Sequence, residues 1–337
     1  MQEYSVFCDI FEIKLIKLSK KAKDGEIMNL YLPEGALSLT ERNKEYTEGY
    51  GGLERALEDG AIIEAPAVLC DRDFNLHIEF SSGIRGIIPK EEVLYTREGE
   101  EVKDIAILTR VGKVVCFKVT GFYDIGGTRV ARLSRRLAQM ECVTEYVDTL
   151  VAGDIIRAKV THLESFGAFL DIGCGITSLL SIDSISVSRI AHPSARLSVS
   201  DYIYTVVKCI DESGRIYVSE RELLGTWEEN AALFSEGETV RGIIRSVESY
   251  GVFVELTPNL AGLAEYRDDV APGEVCAVFV KSIIPEKMKI KLIIIDSERT
   301  ELSQQPLGYF VDTEKVGHID RWLYSPSSAE KKIETVF

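Results

Sequence analysis

The chain has 337 residues, of which 45% are apolar and 28% charged, and a formal net charge of −15. That length and balance exclude a disordered chain and fit two to four small packed domains. The acidic excess argues against binding nucleic acid by bulk charge, because lysine and arginine must displace counterions from phosphates.

Residues 1–58 read as an N-terminal extension with a helix over 40–58. The first apolar run, Val6 to Leu18, is interrupted by Asp9, Glu12, Lys14 and Lys17, and no stretch approaches the roughly 20 residues needed to cross a bilayer. No basic segment precedes an apolar core, so neither a signal peptide nor a membrane partner is expected, and the location expected is cytoplasmic. Cysteines 8, 70, 116, 142, 174, 209 and 276 contain no Cys-x-x-Cys pair and read as reduced structural thiols. Histidines 77, 162, 192 and 318 show no metal-ligand spacing, so neither a metal nor a cofactor is expected.

Residues 59–138 read as a divergent small β-barrel, with strands in Ala61–Val68, Asn75–Phe80, Gly83–Val93, Val114–Val119 and Arg132–Arg136. Residues 103–136 carry eight basic side chains (Lys103, Arg110, Lys113, Lys118, Arg129, Arg132, Arg135, Arg136) against Asp104 and Asp124. A local basic face on an acidic body is the expectation. The Gly126-Gly127 and Gly173-Cys-Gly175 segments read as turns, without the lysine and helix of a phosphate loop.

The next two modules declare themselves as a repeat. Gly153 to Ile172 aligns without gaps on Gly237 to Leu256, an offset of 84 residues with six of twenty positions identical, and Phe166 is matched by Tyr250. Strand patterns cover Ile155–Leu163 and Ala168–Ile172, with Gly167 as the break, and a hairpin Tyr204–Ile210/Arg215–Ser219 turns at Asp211-Glu-Ser-Gly214. In the later copy the hairpin is Val278–Ile284/Met288–Leu292. Barrels are expected over 150–224 and 235–297. Between them Glu220–Phe234 reads as an amphipathic helix whose Trp227 and Leu233 seat the next barrel. The remainder, 298–337, is a C-terminal extension with strand-like Leu307–Val311 and His318–Tyr324.

These residues resemble a known family. Gly153 to Val160, Phe166-Gly-Ala-Phe169, Ile210-Asp211 and Arg215-Ile-Tyr-Val-Ser219-Glu-Arg221 are similar to the S1 RNA-binding repeat of bacterial ribosomal protein S1, and the chain resembles short ribosomal-protein-S1-like proteins of clostridia-type bacteria. The resemblance implies a mainly β fold of three tandem five-stranded OB-fold (S1-type) barrels, with short helical linkers and a small β-rich tail. It also implies RNA as ligand. The family's RNA face uses two aromatics, a histidine, an aspartate and an arginine. Phe166, Gly167, Phe169, Asp211 and Arg215 match, whereas Ser181 stands at the histidine place. In the third copy Tyr250, Phe253 and Lys289 match, while Glu265 and Pro285 replace the histidine and aspartate. In the first copy Phe74 and His77 are the nearest candidates, and by likeness that module docks on protein instead. Met28-Asn-Leu-Tyr-Leu-Pro33 is a start typical of such relatives, so initiation at Met28 is expected.

Exposed aromatics let successive bases stack at about 1–3 kcal/mol each. On a regular strand residues three apart face opposite sides, and a bulge at Gly167 would bring Phe166 and Phe169 to one face. The alternative puts Phe169 in the core; Tyr250 and Phe253 at the same spacing favour the shared face. Asp211 reads equally as a turn residue, and Arg215 as a phosphate or base contact or a solvated strand-edge charge. Arg157, Lys159 and Lys208 fit backbone contacts or ordinary surface charge, and His162 and His192 fit structural roles. The expected function is binding of single-stranded RNA (mRNA) in translation, with the 30S subunit as a candidate partner and no small-molecule substrate. A protein- or ribosome-docking scaffold is the alternative. Residues 1–58 and 299–337 are too short for a catalytic domain, so neither an enzyme nor catalytic residues are expected, and a role as an accessory of RNA degradation ranks last.

Overall fold

The structure, a computed structural model, describes residues 31–96, 102–299 and 308–337. Met28 and Cys8 lie outside the described residues. The chain divides into two compact units, Met1–Thr149 with Gly173–Ile176, and Leu150–Ile172 with Thr177–Phe337.

The first unit contains α1 (Glu41–Thr47), α2 (Tyr50–Glu58) and a closed barrel of β1 (Ile62–Cys70), β2 (Leu76–Glu79), β3 (Arg85–Ile88), β4 (Val114–Ile125) and β5 (Thr128–Ser134). The helix expected over 40–58 is therefore two. Gly49, at φ 90°, breaks it in a backbone conformation that favours glycine. The short α3 (Asp104–Leu108) and α4 (Arg135–Glu145) complete the unit; Arg135 and Arg136, expected in a strand, open α4 behind the Ser134 cap.

The expected basic face is largely neutralised. Arg135, fully buried, donates through Nε to Glu34 at 2.7 Å, and Arg110 lies 3.6 Å from the same carboxylate. Lys118 pairs with Glu141, Arg129 with Glu54 and Arg136 with Glu92. Only Lys103, Lys113 and Arg132 of the eight form no ion pair among the described residues.

In the second unit two further barrels repeat the first. One holds β6 (Ile155–Glu164), β7 (Gly167–Asp171), β8 (Thr177–Ser181), β9 (Tyr202–Ile210) and β10 (Ile216–Ser219); the other holds β11 (Thr239–Glu248), β12 (Gly251–Thr257), β13 (Leu260–Ala264), β14 (Val275–Ile284) and β15 (Lys289–Glu298). In each barrel the first strand pairs antiparallel with the second and fourth, and the third and fifth close it in parallel. Alternation drives this: Ile290, Leu292 and Ile294 of β15 point inward, and Lys289, Lys291 and Ile293 outward.

The linker expected as one helix breaks at Gly225, φ 82°, into a 3-10 turn Arg221–Leu224 and α5 (Trp227–Ala231). Trp227 is buried in the third barrel's core as expected, but Leu233 is exposed, because α5 ends before it. Barrels two and three are joined by buried polar contacts: Asn259 accepts from the Val187 amide (3.0 Å) and donates to the Arg221 and Gly225 carbonyls, and Glu255 accepts from both Arg196 and Arg245. Pairing of buried polar groups favours one arrangement of the two barrels, although the buried Arg196 Nε has no hydrogen-bond partner.

The tail fastens to both barrels. Tyr309 donates to Glu220 (3.0 Å), and His318 Nδ1 lies 2.7 Å from Asp154 on barrel two. Trp322 and Tyr324 enter the core of barrel three, where Tyr324 donates to the Asn259 carbonyl at 2.5 Å. The described part of the expected strand Leu307–Val311 is irregular; the Phe310 amide donates to the Leu223 carbonyl in the linker's 3-10 turn instead. The tail's own sheet pairs β16 (Arg321–Leu323) with β17 (Glu334–Val336).

Candidate nucleic-acid interface

All three barrels carry the same two irregularities. In the first-to-second strand pairing an extra residue bulges at Val68, Thr161 and Arg245; in the fourth-to-fifth pairing one bulges at Thr120, Lys208 and Lys281. A bulge turns the following side chains to the other face. The shift expected at Gly167 therefore lies across the sheet at Thr161.

The consequence in barrel two is one outward row, His162–Phe169–Leu179–Tyr217–Cys209, in which each residue is the cross-strand partner of the next. Phe169 is half-buried on this face, not in the core; Ala168 and Leu170 beside it are fully buried. The His162 ring stacks on Phe169 at 6.4 Å and 25°, and Phe166, 53% exposed, meets Phe169 edge-on at 6.0 Å. Phe166 sits in the β6–β7 turn and is thus free of the strand's alternation. Gly167 is required by close approach: a Cβ there would lie 2.4 Å from the Leu180 carbonyl oxygen, and one at Gly251 would lie 2.5 Å from that of Ala264.

Asp211 forms a turn. It accepts from Ser213 Oγ (2.6 Å) and the Arg215 amide (2.9 Å), bonds that hold its carboxyl below the usual range, and it also accepts from the Tyr217 hydroxyl at 3.3 Å. It therefore orients Tyr217 on the row. Arg215 is exposed at the end of the face away from Phe166. Ser181 is tied to Ser184, which also accepts from Lys208 Nζ at 3.0 Å. Arg157 and Lys159 stand over Tyr204 and Tyr202 in a separate lane.

The equivalent row in barrel three is Ser246–Phe253–Leu263–Lys291–Ser282, flanked by exposed Tyr250 and Lys289. Tyr250 and Phe253 repeat the edge-on pair at 6.1 Å. Barrel one presents Leu69–His77–Ile87–Arg132–Gly121, with Phe74 three residues before His77 and Lys90 Nζ 4.5 Å from the Phe74 ring centroid. The structure adds Tyr217 and Lys291 to the outward rows, and places there His162, for which a structural role was expected. The 84-residue offset already aligned His162 with Ser246, but only the bulge shows that His162 faces Phe169.

Three barrels of this topology, each with an outward lane bearing aromatic or basic side chains, define a tandem OB-fold protein. Residues 149–221 match the family model described as S1 RNA binding domain. The chain is 26% identical over 305 residues to small ribosomal subunit protein bS1 of Staphylococcus aureus strain N315, covering 85% of this chain and 73% of that one. To the protein of the same name from Staphylococcus saprophyticus it is 28% identical over 277 residues, covering 77% and 67%. Among solved structures, it is similar to a multidomain protein with nucleic acid binding domains from Streptococcus pneumoniae, at 17% identity, 70% and 73% coverage and a TM-score of 0.24.

Proposed function

We propose that the chain binds single-stranded RNA, mRNA engaged in translation above all, across the outward rows of barrels two and three. The row His162–Phe169–Tyr217 with Phe166 beside it carries this reading, because ring faces and edges at this density suit unstacked bases and no reacting group is required. The relatives named as ribosomal proteins support association with the small ribosomal subunit and a cytoplasmic place of action. Fluorescence anisotropy with labelled oligo(U) tests it: tight binding that falls steeply with salt and is lost on a duplex of the same length is expected, whereas equal binding to duplex would contradict it.

A second measurement locates the site. Cys209, exposed at the end of the aromatic row, is the partner of Tyr217. Oligo(U) is expected to slow its alkylation by maleimide several-fold; an unchanged rate would place the RNA elsewhere.

One observation favours protein docking for the first barrel. Val68, Leu69, Ile105, Leu108 and Val111 are all exposed there, and Ala67 bonds to the Gly112 and Lys113 backbone, which brings the last of these beside the first two. Such a cluster suits an apolar partner better than RNA.

A further inference from the structure

The third barrel's hairpin end collects lysines on an otherwise acidic chain. Lys289 and Lys291, two residues apart and about 7 Å from each other along one strand, face outward beside Phe253, with Lys281 on the bulge and Lys287 in the turn. The tail adds to them. The Glu330 amide donates to the Glu286 carbonyl at 3.1 Å, and Ile333 packs on the same core as Ile283 and Met288, so exposed Lys331 and Lys332 lie along the turn. None of these six lysines forms an ion pair with a described residue; acids nearby include Glu236, Glu286 and Glu330, and Glu334, which is paired with Arg321.

The order of groups has a direction. Tyr250 stands at one end, Phe253 and Lys291 in the middle, and Lys289, Lys287 and then Lys331 and Lys332 follow towards the turn. Stacking platforms that run into a row of unpaired cations are what a single strand requires, bases on rings and phosphates on ammonium groups. Rim-exposed lysines also keep their charge available, since no carboxylate claims it.

We propose that the C-terminal tail is part of the nucleic-acid surface: Lys331 and Lys332, held against the β14–β15 turn, extend the phosphate track of barrel three beyond its aromatic pair. The ligand is the sugar-phosphate backbone of a single strand, so this rests on the function proposed above.

The test uses the full chain, labelled oligo(U) long enough to cross the barrel, and a salt series. For single strands the slope of log K against log salt is about −0.7 per phosphate neutralised, so the double variant Lys331→Gln/Lys332→Gln is expected to shallow the slope by about 1.4 and weaken binding at low salt. Lys315→Gln, a tail lysine already paired with Asp312, is expected to leave the slope unchanged. A double variant with the wild-type slope would overturn the tail's role while leaving RNA binding intact. Wild-type binding without salt dependence would overturn the functional reading itself.

Discussion

Replacing Phe166 and Phe169 together with alanine is expected to weaken oligo(U) binding by about 2–6 kcal/mol, roughly 30-fold to 10⁴-fold, the loss of two stacked bases. The rings form one edge-on pair, and Phe169 also carries the stacked His162 ring, so its removal leaves the imidazole without its platform. The barrel survives the change because Ala168, Leu170 and Leu180, not Phe169, fill the interior. A thermal midpoint within a few degrees of wild type is therefore expected alongside the loss of affinity. The matching Tyr250→Ala/Phe253→Ala variant is expected to cost less, since Ser246 and Lys291 stand where barrel two has His162 and Tyr217. Equal losses from both barrels would contradict the ranking, and unchanged binding in the first variant would remove the site.

Raising the pH from about 5 to about 8.5 is expected to destabilise the second unit by up to about 4 kcal/mol through Glu220 alone. Burial pushes this carboxyl up to about 8 from 4.5, against the opposing pull of the Tyr309 hydroxyl and the Arg196 charge, and its Oε2 has no hydrogen-bond partner. The folded chain holds the proton that the unfolded chain releases near 4.5. Stability is thus full below the unfolded value and is lost as pH rises towards 8. His318, raised by its bond to Asp154 and by Asp320, acts in the same direction, and both groups sit where the tail meets barrel two. Urea unfolding at pH 5.5 and 8.5 checks this. Glu220→Gln, which cannot ionise, is expected to remove most of the difference; a variant as pH-sensitive as wild type would contradict it.

The two later barrels were legible because their repeat preserves what the fold demands locally: a glycine where β8 or β13 passes too close for a Cβ, aromatics on either side, and a turn before the last strand. Their third strands, Thr177–Ser181 and Leu260–Ala264, escaped notice because five residues closing a barrel by a parallel, non-local pairing carry little local pattern. In barrel one Phe74 and His77 keep the three-residue spacing of Phe166 and Phe169 without the glycine; the resemblance made them the nearest candidates, and the register puts His77 at the place of Phe169. The composition of residues 103–136 suggested a basic face that buried and surface carboxylates in fact neutralise, since charge counts contain no partners. Side-chain direction after a bulge is invisible for the same reason: period-2 reading has no means of locating one extra residue.

Photo-crosslinking of 4-thiouridine oligonucleotides to the intact chain, with the attached residues read by mass spectrometry, tests most directly that RNA lies on the aromatic row of barrel two. Crosslinks at His162, Phe166, Phe169 and Tyr217, with fewer at Tyr250 and Phe253, are the result expected. Crosslinks confined to the first barrel, or spread over surfaces away from these residues, would contradict it.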